Sequence, residues 1–162
     1  MLTRDEVLDR LDYDETTGTF TYKRRVGRAG KGTVAGHVHK TGYVHIFVDG
    51  QRIMAHRLAW FCAYGEMPNK QVDHIDGNRA NNAISNLRLC NQSQNQANTK
   101  KPASNTSGFK GVSWHRRVGK WGAQIKINGQ QKHLGYFHDK KLAGAAYADA
   151  LVKNFGNFAR TE

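Results

Sequence analysis

The sequence predicts an α+β fold in two small units, on three observations. Two Gly-containing turns, Asp49-Gly50 and Asn128-Gly129, each separate stretches of alternating apolar and polar residues, which is the pattern of a β-hairpin closed by a type I′ turn. Each hairpin runs on into a helical stretch, Ala55 to Tyr64 in the first half and the residues after Asp139 in the second. Between the halves lies a polar, basic, Pro-broken stretch, residues 100–107, which reads as a linker. A chain of 162 residues with 38% hydrophobic content is also better suited to two small cores than to one large one.

In chain order, Thr3 stands three residues before Glu6 and ahead of an apolar stripe at Val7, Leu8 and Leu11, which predicts a short helix opened by a capping box. Asp14 to Gly18 is turn chemistry, and Thr19 to Lys23 alternates as a strand. The Gly-rich loop from Arg24 to Gly36 carries Arg24, Arg25, Arg28 and Lys31, and it reads equally as a phosphate-contacting arm or as a flexible linker. Tyr43 to Val48 and Gln51 to Met54 are the arms of the first hairpin. The helix after it is apolar around much of its circumference, so it belongs in a core, with Gly65 as its stop. At its start, His56 reads as a hydrogen-bonded structural histidine, with a place facing a bound phosphate as the alternative.

Val72-Asp73-His74-Ile75 is a short apolar strand, and alternation sends the Asp73 and His74 side chains to opposite faces. Asp76-Gly77-Asn78 is a turn, Leu87 to Cys90 a second strand, and a helix begins at Asn91 or Ser93, either of which can cap it. Past the linker, Gly111 to Trp114, Lys120 to Ile127 and Lys132 to Phe137 read as three strands. Asp139 then caps a helix carrying Leu142, Ala145, Ala146, Ala150 and Leu151.

Charge is uneven along the chain. Residues 100–162 hold 12 Lys and Arg against 3 Asp and Glu, a surplus of +9, whereas residues 1–99 hold 13 against 10, a surplus of +3. The second half is therefore the polyanion-binding candidate, because cations that displace counterions from phosphates supply most sequence-independent affinity. Cys62 and Cys90 stand alone among apolar neighbours, so they read as reduced core residues, and no structural zinc is expected. The N-terminal residues lack the apolar core of a signal peptide and no run approaches membrane-spanning length, so a soluble, cytoplasmic protein with no membrane partner is expected.

The order of strand with Asp73-His74, loop, strand after Asn86-Leu87, and helix carrying Asn95 resembles the ββα-metal nucleases of the HNH type, most nearly their phage and intron-encoded homing-endonuclease branch. The resemblance implies His74 as general base, Asn86 as the brace of its loop, and Asp73 with Asn95 as ligands of one divalent ion, Mg²⁺ or Mn²⁺. Imidazole suits the first role because its pKa lies near neutrality, and oxygen donors suit a hard cation. From Gly111-Val112 through Lys120-Trp121 and Leu134-Gly135-Tyr136-Phe137 to Ala145-Ala146-Tyr147, the second half resembles the ethylene-response-factor (Apetala-type) DNA-binding domain. That implies Trp114, Arg116, Arg117, Lys120, Trp121, Lys126 and Lys132 as DNA contacts, with core packing as the other reading of Trp121. The expected whole is a site-specific DNA endonuclease of phage type acting on double-stranded DNA as a monomer, divided into residues 1–99 (nuclease), 100–107 (linker) and 108–162 (DNA binding). The rival readings are a non-catalytic DNA-binding regulator and a binder of structured RNA.

Overall fold

Thr3 caps the first helix as its spacing to Glu6 requires. Its hydroxyl accepts the Glu6 amide and the Glu6 carboxylate accepts the Thr3 amide at 2.8 Å, closing the capping box on α1 (Arg4–Arg10). This computed structural model describes residues 2–161, which fall into two compact units, one up to Leu89 and one from Cys90.

In the first unit, α1 leads into an antiparallel pair, β1 (Leu11–Asp14) and β2 (Thr19–Tyr22). The Arg24–Gly36 loop is not a flexible linker. Its far end returns along β2, with the Tyr22 amide donating to Thr33 O at 3.0 Å and the Ala35 amide to Phe20 O at 2.7 Å, while Val26 and Ala29 exchange amide bonds across its tip. A second sheet has the order β3 (His37–Val38), β4 (Val44–Val48), β5 (Gln51–Met54). Asp49 and Gly50 both take positive φ, 50° and 76°, as a type I′ turn demands. β5 runs directly into α2 (Ala55–Tyr64), which Gly65 ends in the left-handed conformation. Arg4 also bonds the last turn of α2, with Nε and Nη2 on Cys62 O at 2.9 and 2.7 Å. Val7, Leu11, Ile46, Leu58 and Ala59 form the core that fixes these elements to one another. On it sit β6 (Gln71–His74) and β7 (Leu87–Cys90), a two-stranded sheet joined by a long polar loop.

One glycine sets where that loop lies. Gly18 has φ +73°, and a Cβ there would fall 2.1 Å from Ala83 N and 2.2 Å from Asn82 C, so the β1–β2 turn presses directly on the backbone of the loop. Gly18→Ala is expected to cost about 1–3 kcal/mol from overpacking and to displace Asn82. Thermal denaturation checks the stability, and an unchanged melting curve would mean the two backbones can separate freely.

The second unit begins with α3 (Gln92–Asn98), capped by Asn91 in a reciprocal box with Gln94. Three strands follow in the order β10 (Gln130–Phe137), β9 (Lys120–Ile127), β8 (Val112–His115), with α4 (Lys140–Phe155) packed on one face. Gly144 of α4 admits the Phe109 ring, whose Cδ1 would lie 2.4 Å from any Cβ there, so helix and chain entry pack closely. The unit boundary differs from the expected residue 99. Ala97 of α3 is buried in the same core as Val112, Ala123, Ile125 and Leu151, and Lys110 Nζ ties Ala97 O and Thr99 O at 2.7 Å each. Nor is 100–107 a loose tether. Asn105 Nδ2 donates to Phe109 O, the Ser107 hydroxyl donates to the same carbonyl, and the Gly108 amide donates to Asn105 Oδ1, so the polar side chains fold the segment onto itself.

Candidate active site

Asp73 and His74 close β6, and strand alternation separates them as the sequence requires. Both are buried, an expensive arrangement for a carboxylate and an imidazole unless each finds a partner. Asp73 meets Arg88 of β7, which places Nε at 3.0 Å and Nη2 at 2.9 Å from the same carboxylate oxygen. His74 turns the other way. Its Nε2 lies 3.3 Å from Oδ1 of Asn82, whose own amide nitrogen donates to Ala80 O at 3.0 Å. With Asn82 oriented as acceptor, Nε2 carries the proton of the neutral ring and the basic lone pair resides on Nδ1.

Two rings wall the imidazole. His56, from the first turn of α2, stands edge-on to it at 5.1 Å between ring centres, and Tyr43 lies 6.0 Å away. Burial lowers the His74 pKa below the ordinary imidazole value against the opposing pull of Asn82, Asp76 and Asp73. Burial also drives His56 down to about 3, helped by the charges of His74, Arg57 and His45. The expected hydrogen-bonded structural role of His56 is corrected at one atom: its Nδ1 is buried with no hydrogen-bond partner among the described residues. At neutral pH both rings are therefore uncharged.

The loop after His74 is held from within. Asn86 Oδ1 accepts the Asp76 amide at 3.1 Å, and its Nδ2 donates to Asp76 Oδ1 at 3.0 Å and to Asn81 O at 2.9 Å. Asn81 Nδ2 and the Asn78 amide complete the set on the Asp76 carboxylate. Burial raises the pKa of Asp76, but these bonds outweigh it and the net shift is downward. Asp76 is thus the hub of a polar loop as well as a turn residue.

Asp73, His74 and Asn86 come together in this first unit. Asn95 lies half-buried on α3, in the second. Among the described residues no group of three or more His, Cys, Asp or Glu could hold a metal, so a cation here would draw on Asp73 with amide and substrate oxygens. Those are hard donors, and they fit Mg²⁺ in kind.

Of the basic loop residues, Arg24 is committed to Asp9 through Nη2, Arg25 donates to Gly27 O at 3.2 Å, and Arg28 is exposed. Arg116 and Arg117 are exposed in the turn after β8. The register of the second sheet sorts the remaining candidates. Trp114 pairs with Trp121 and Trp121 with Phe137, and Trp121 and Phe137 pack against the core, so the two tryptophans lie on the α4 side. Core packing is the reading of Trp121 that this position supports. Lys132 pairs with the buried Ile125 and shares that side, although it is exposed. The open face instead holds Lys120 and Lys126 together with Gln124 and an aromatic group in which Tyr136 meets His115 at 5.2 Å and His133 at 4.4 Å. The alternation of β9, Lys120-Trp121-Gly122-Ala123-Gln124-Ile125-Lys126, already carried that division. Asn82, Arg88 and Tyr43 had no comparable local signal, since each acts only through a residue distant in sequence.

Residues 54–97 match the family described as HNH endonuclease. Protein 3.8 of Escherichia phage T7 is 43% identical over 80 residues, 49% of this chain and 66% of that protein. An uncharacterized HNH endonuclease of Acanthamoeba polyphaga mimivirus is 30% identical over 125 residues, 76% of this chain and 64% of that protein. The chain thus spans just under two thirds of the length of these relatives. A solved structure described as DNA binding and cleavage by the HNH homing endonuclease I-HmuI is 27% identical, covering 54% of this chain and 49% of that one at a TM-score of 0.39. Over 52 residues, 32% of the chain, there is 40% identity to an AP2-like ethylene-responsive transcription factor of Arabidopsis thaliana, 11% of that protein. No helix among the described residues is long and apolar enough to cross a membrane. α2, the Asp73-His74 strand, the braced loop, β7 and α3 as far as Ala97 all lie inside the segment that matches the HNH endonuclease family.

Proposed function

We propose that the chain is a metal-dependent, site-specific endonuclease of double-stranded DNA that leaves 5′-phosphate and 3′-hydroxyl ends. The observation that supports this most directly is the neutral imidazole of His74, fixed by Asn82 and held in a loop that Asn86 braces. A ring so placed can accept a proton from water through Nδ1. The water oxygen then bonds to phosphorus as the P–O3′ bond breaks in line, and the departing 3′ oxygen takes up a proton from solvent. HNH nucleases generally use a divalent ion. Bound by Asp73 and Asn95, such an ion, Mg²⁺ or Mn²⁺, would supply charge stabilisation at the leaving oxygen. Residues 108–162, read as an Apetala-type domain, would bind DNA with the help of the +9 surplus of residues 100–162, with Lys120 and Lys126 on the open face of the sheet.

The test is incubation of the full chain with plasmid and phage genomic DNA, with and without Mg²⁺, followed by mapping of the ends and direct ligation. Ends that ligase cannot seal without phosphate repair would refute the stated polarity of cleavage, and no cutting under any metal would leave a DNA-binding protein. Asp73→Ala and Asn95→Ala are each expected to lower cleavage and to regain part of it at raised Mg²⁺, since each removes one oxygen donor. Titration of rate against Mg²⁺ checks this, and a flat response in both variants would remove them as ligands.

A further inference from the structure

We propose that Arg79 is a further catalytic residue of the HNH unit: its guanidinium holds a non-bridging oxygen of the scissile phosphate, and the Tyr43 ring and the Thr41 carbonyl position it beside His74. The inference rests on the nuclease reading above and names a phosphate-binding group for that site.

Arg79 stands out among the arginines of this unit because it lies over the Tyr43 ring, which packs against His74. Arg10, Arg24 and Arg88 are neutralised by Asp49, Asp9 and Asp73. Arg79 is exposed and makes no ion pair among the described residues, yet its side chain is not loose. Nη1 donates to Thr41 O at 2.8 Å, and the guanidinium carbon lies 4.8 Å from the centre of the Tyr43 ring. Its Cδ runs past Gly42, where a Cβ would be 3.6 Å away. One carbonyl therefore uses one edge of the fork, and the aromatic face orients the plane at little cost in conformational freedom. The remaining N–H groups are available for two oxygens of a phosphate, the bidentate geometry that distinguishes Arg from Lys.

The Tyr43 ring also fixes the distance that matters. It lies 6.0 Å from the His74 ring and 5.2 Å from that of His56, so it is clamped by two buried imidazoles on one side while carrying Arg79 on another. Guanidinium and base are thus no more than about 11 Å apart. A base, a water, a phosphorus, a non-bridging oxygen and a guanidinium in sequence span roughly 10 Å at hydrogen-bond and near-attack separations. Arg79 transfers no proton. It places a fixed positive charge where negative charge accumulates on the phosphoryl oxygens in the transition state, which is where preorganised charge accelerates a reaction. The same charge is felt at His74, whose pKa it helps to lower.

The experiment compares Arg79→Ala, Arg79→Lys, Tyr43→Phe and Tyr43→Leu with the wild-type full chain for nicking of supercoiled plasmid in Mg²⁺, kcat and KM being measured separately. Arg79→Ala is expected to lower kcat about a hundredfold with KM and melting temperature nearly unchanged, because the side chain is exposed and the loss falls on the transition state. Arg79→Lys should recover part of the rate. Tyr43→Leu should fall towards Arg79→Ala, and Tyr43→Phe, which keeps the ring, should retain clearly more of the rate than Tyr43→Leu. A merely structural arginine would move the melting temperature instead of kcat. An Arg79→Ala variant cutting within threefold of wild type overturns the proposal. A second measurement stands apart from cleavage: titration of the isotopically labelled chain in EDTA with a short DNA duplex, following the Arg79 Nε–H resonance. A shift on addition of duplex that is lost in Tyr43→Leu supports the phosphate contact even if the chain proves not to cut, and an unmoved resonance overturns it.

Discussion

His74→Ala is expected to abolish cleavage while duplex affinity stays within a few-fold of wild type. A positioned general base contributes about a hundredfold to ten-thousandfold, and His56, the imidazole packed edge-on against it at 5.1 Å, does not occupy its place. Affinity survives because the positive surplus lies mostly in residues 100–162 and His74 adds no charge at neutral pH. Plasmid nicking and a gel-shift titration on the same preparation separate the two effects. Because the imidazole is buried, a melting curve accompanies them, and His74→Asn keeps more of the volume if alanine leaves too large a hole. A variant that still cuts at the wild-type rate would remove His74 from the chemistry.

The first unit is expected to lose stability as the pH falls from about 6.5 to 5, ahead of any contribution from Glu6, Asp14 and Asp76. The cause is the set of imidazoles folded into it. His56 is held neutral down to a pKa of about 3, and burial also lowers His45 and His74. Each has a folded value below that of the unfolded chain, so as the pH falls through about 6.5 the unfolded state takes up protons that the folded state refuses, and unfolding is favoured. By pH 5 the contribution of His56 alone reaches about 2 kcal/mol, and any folded value below about 4 gives the same figure. The carboxylates with lowered values, Glu6, Asp14 and Asp76, act in the same direction only below their ordinary range, near pH 4. Thermal melts in steps from pH 7.5 to 5 check this, with His56→Leu as comparison. The variant should show a shallower decline, and a parallel decline would mean that another group carries the effect.

What the sequence determined by itself is local. Thr3 with Glu6, Asp49-Gly50, Gly65, Asn128-Gly129 and Asp139 place helix ends and hairpin turns because each acts on backbone within four residues of itself, and all five fall where composition puts them. The order of Asp73, His74, Asn86 and Asn95 likewise pointed to a ββα nuclease, and the strand alternation separating Asp73 from His74 followed from a period of two. Tertiary structure decided the rest. No local rule could pair His74 with Asn82, set His56 and Tyr43 against it, or bind Asp73 to Arg88, because those partners arrive from separate elements that only the common core brings to one place. The unit boundary moved from residue 99 to Leu89 for a similar reason. Nothing in the polar run of α3 announces that Ala97 is buried, and burial against Val112, Ile125 and Leu151 is what assigns that helix to the second core.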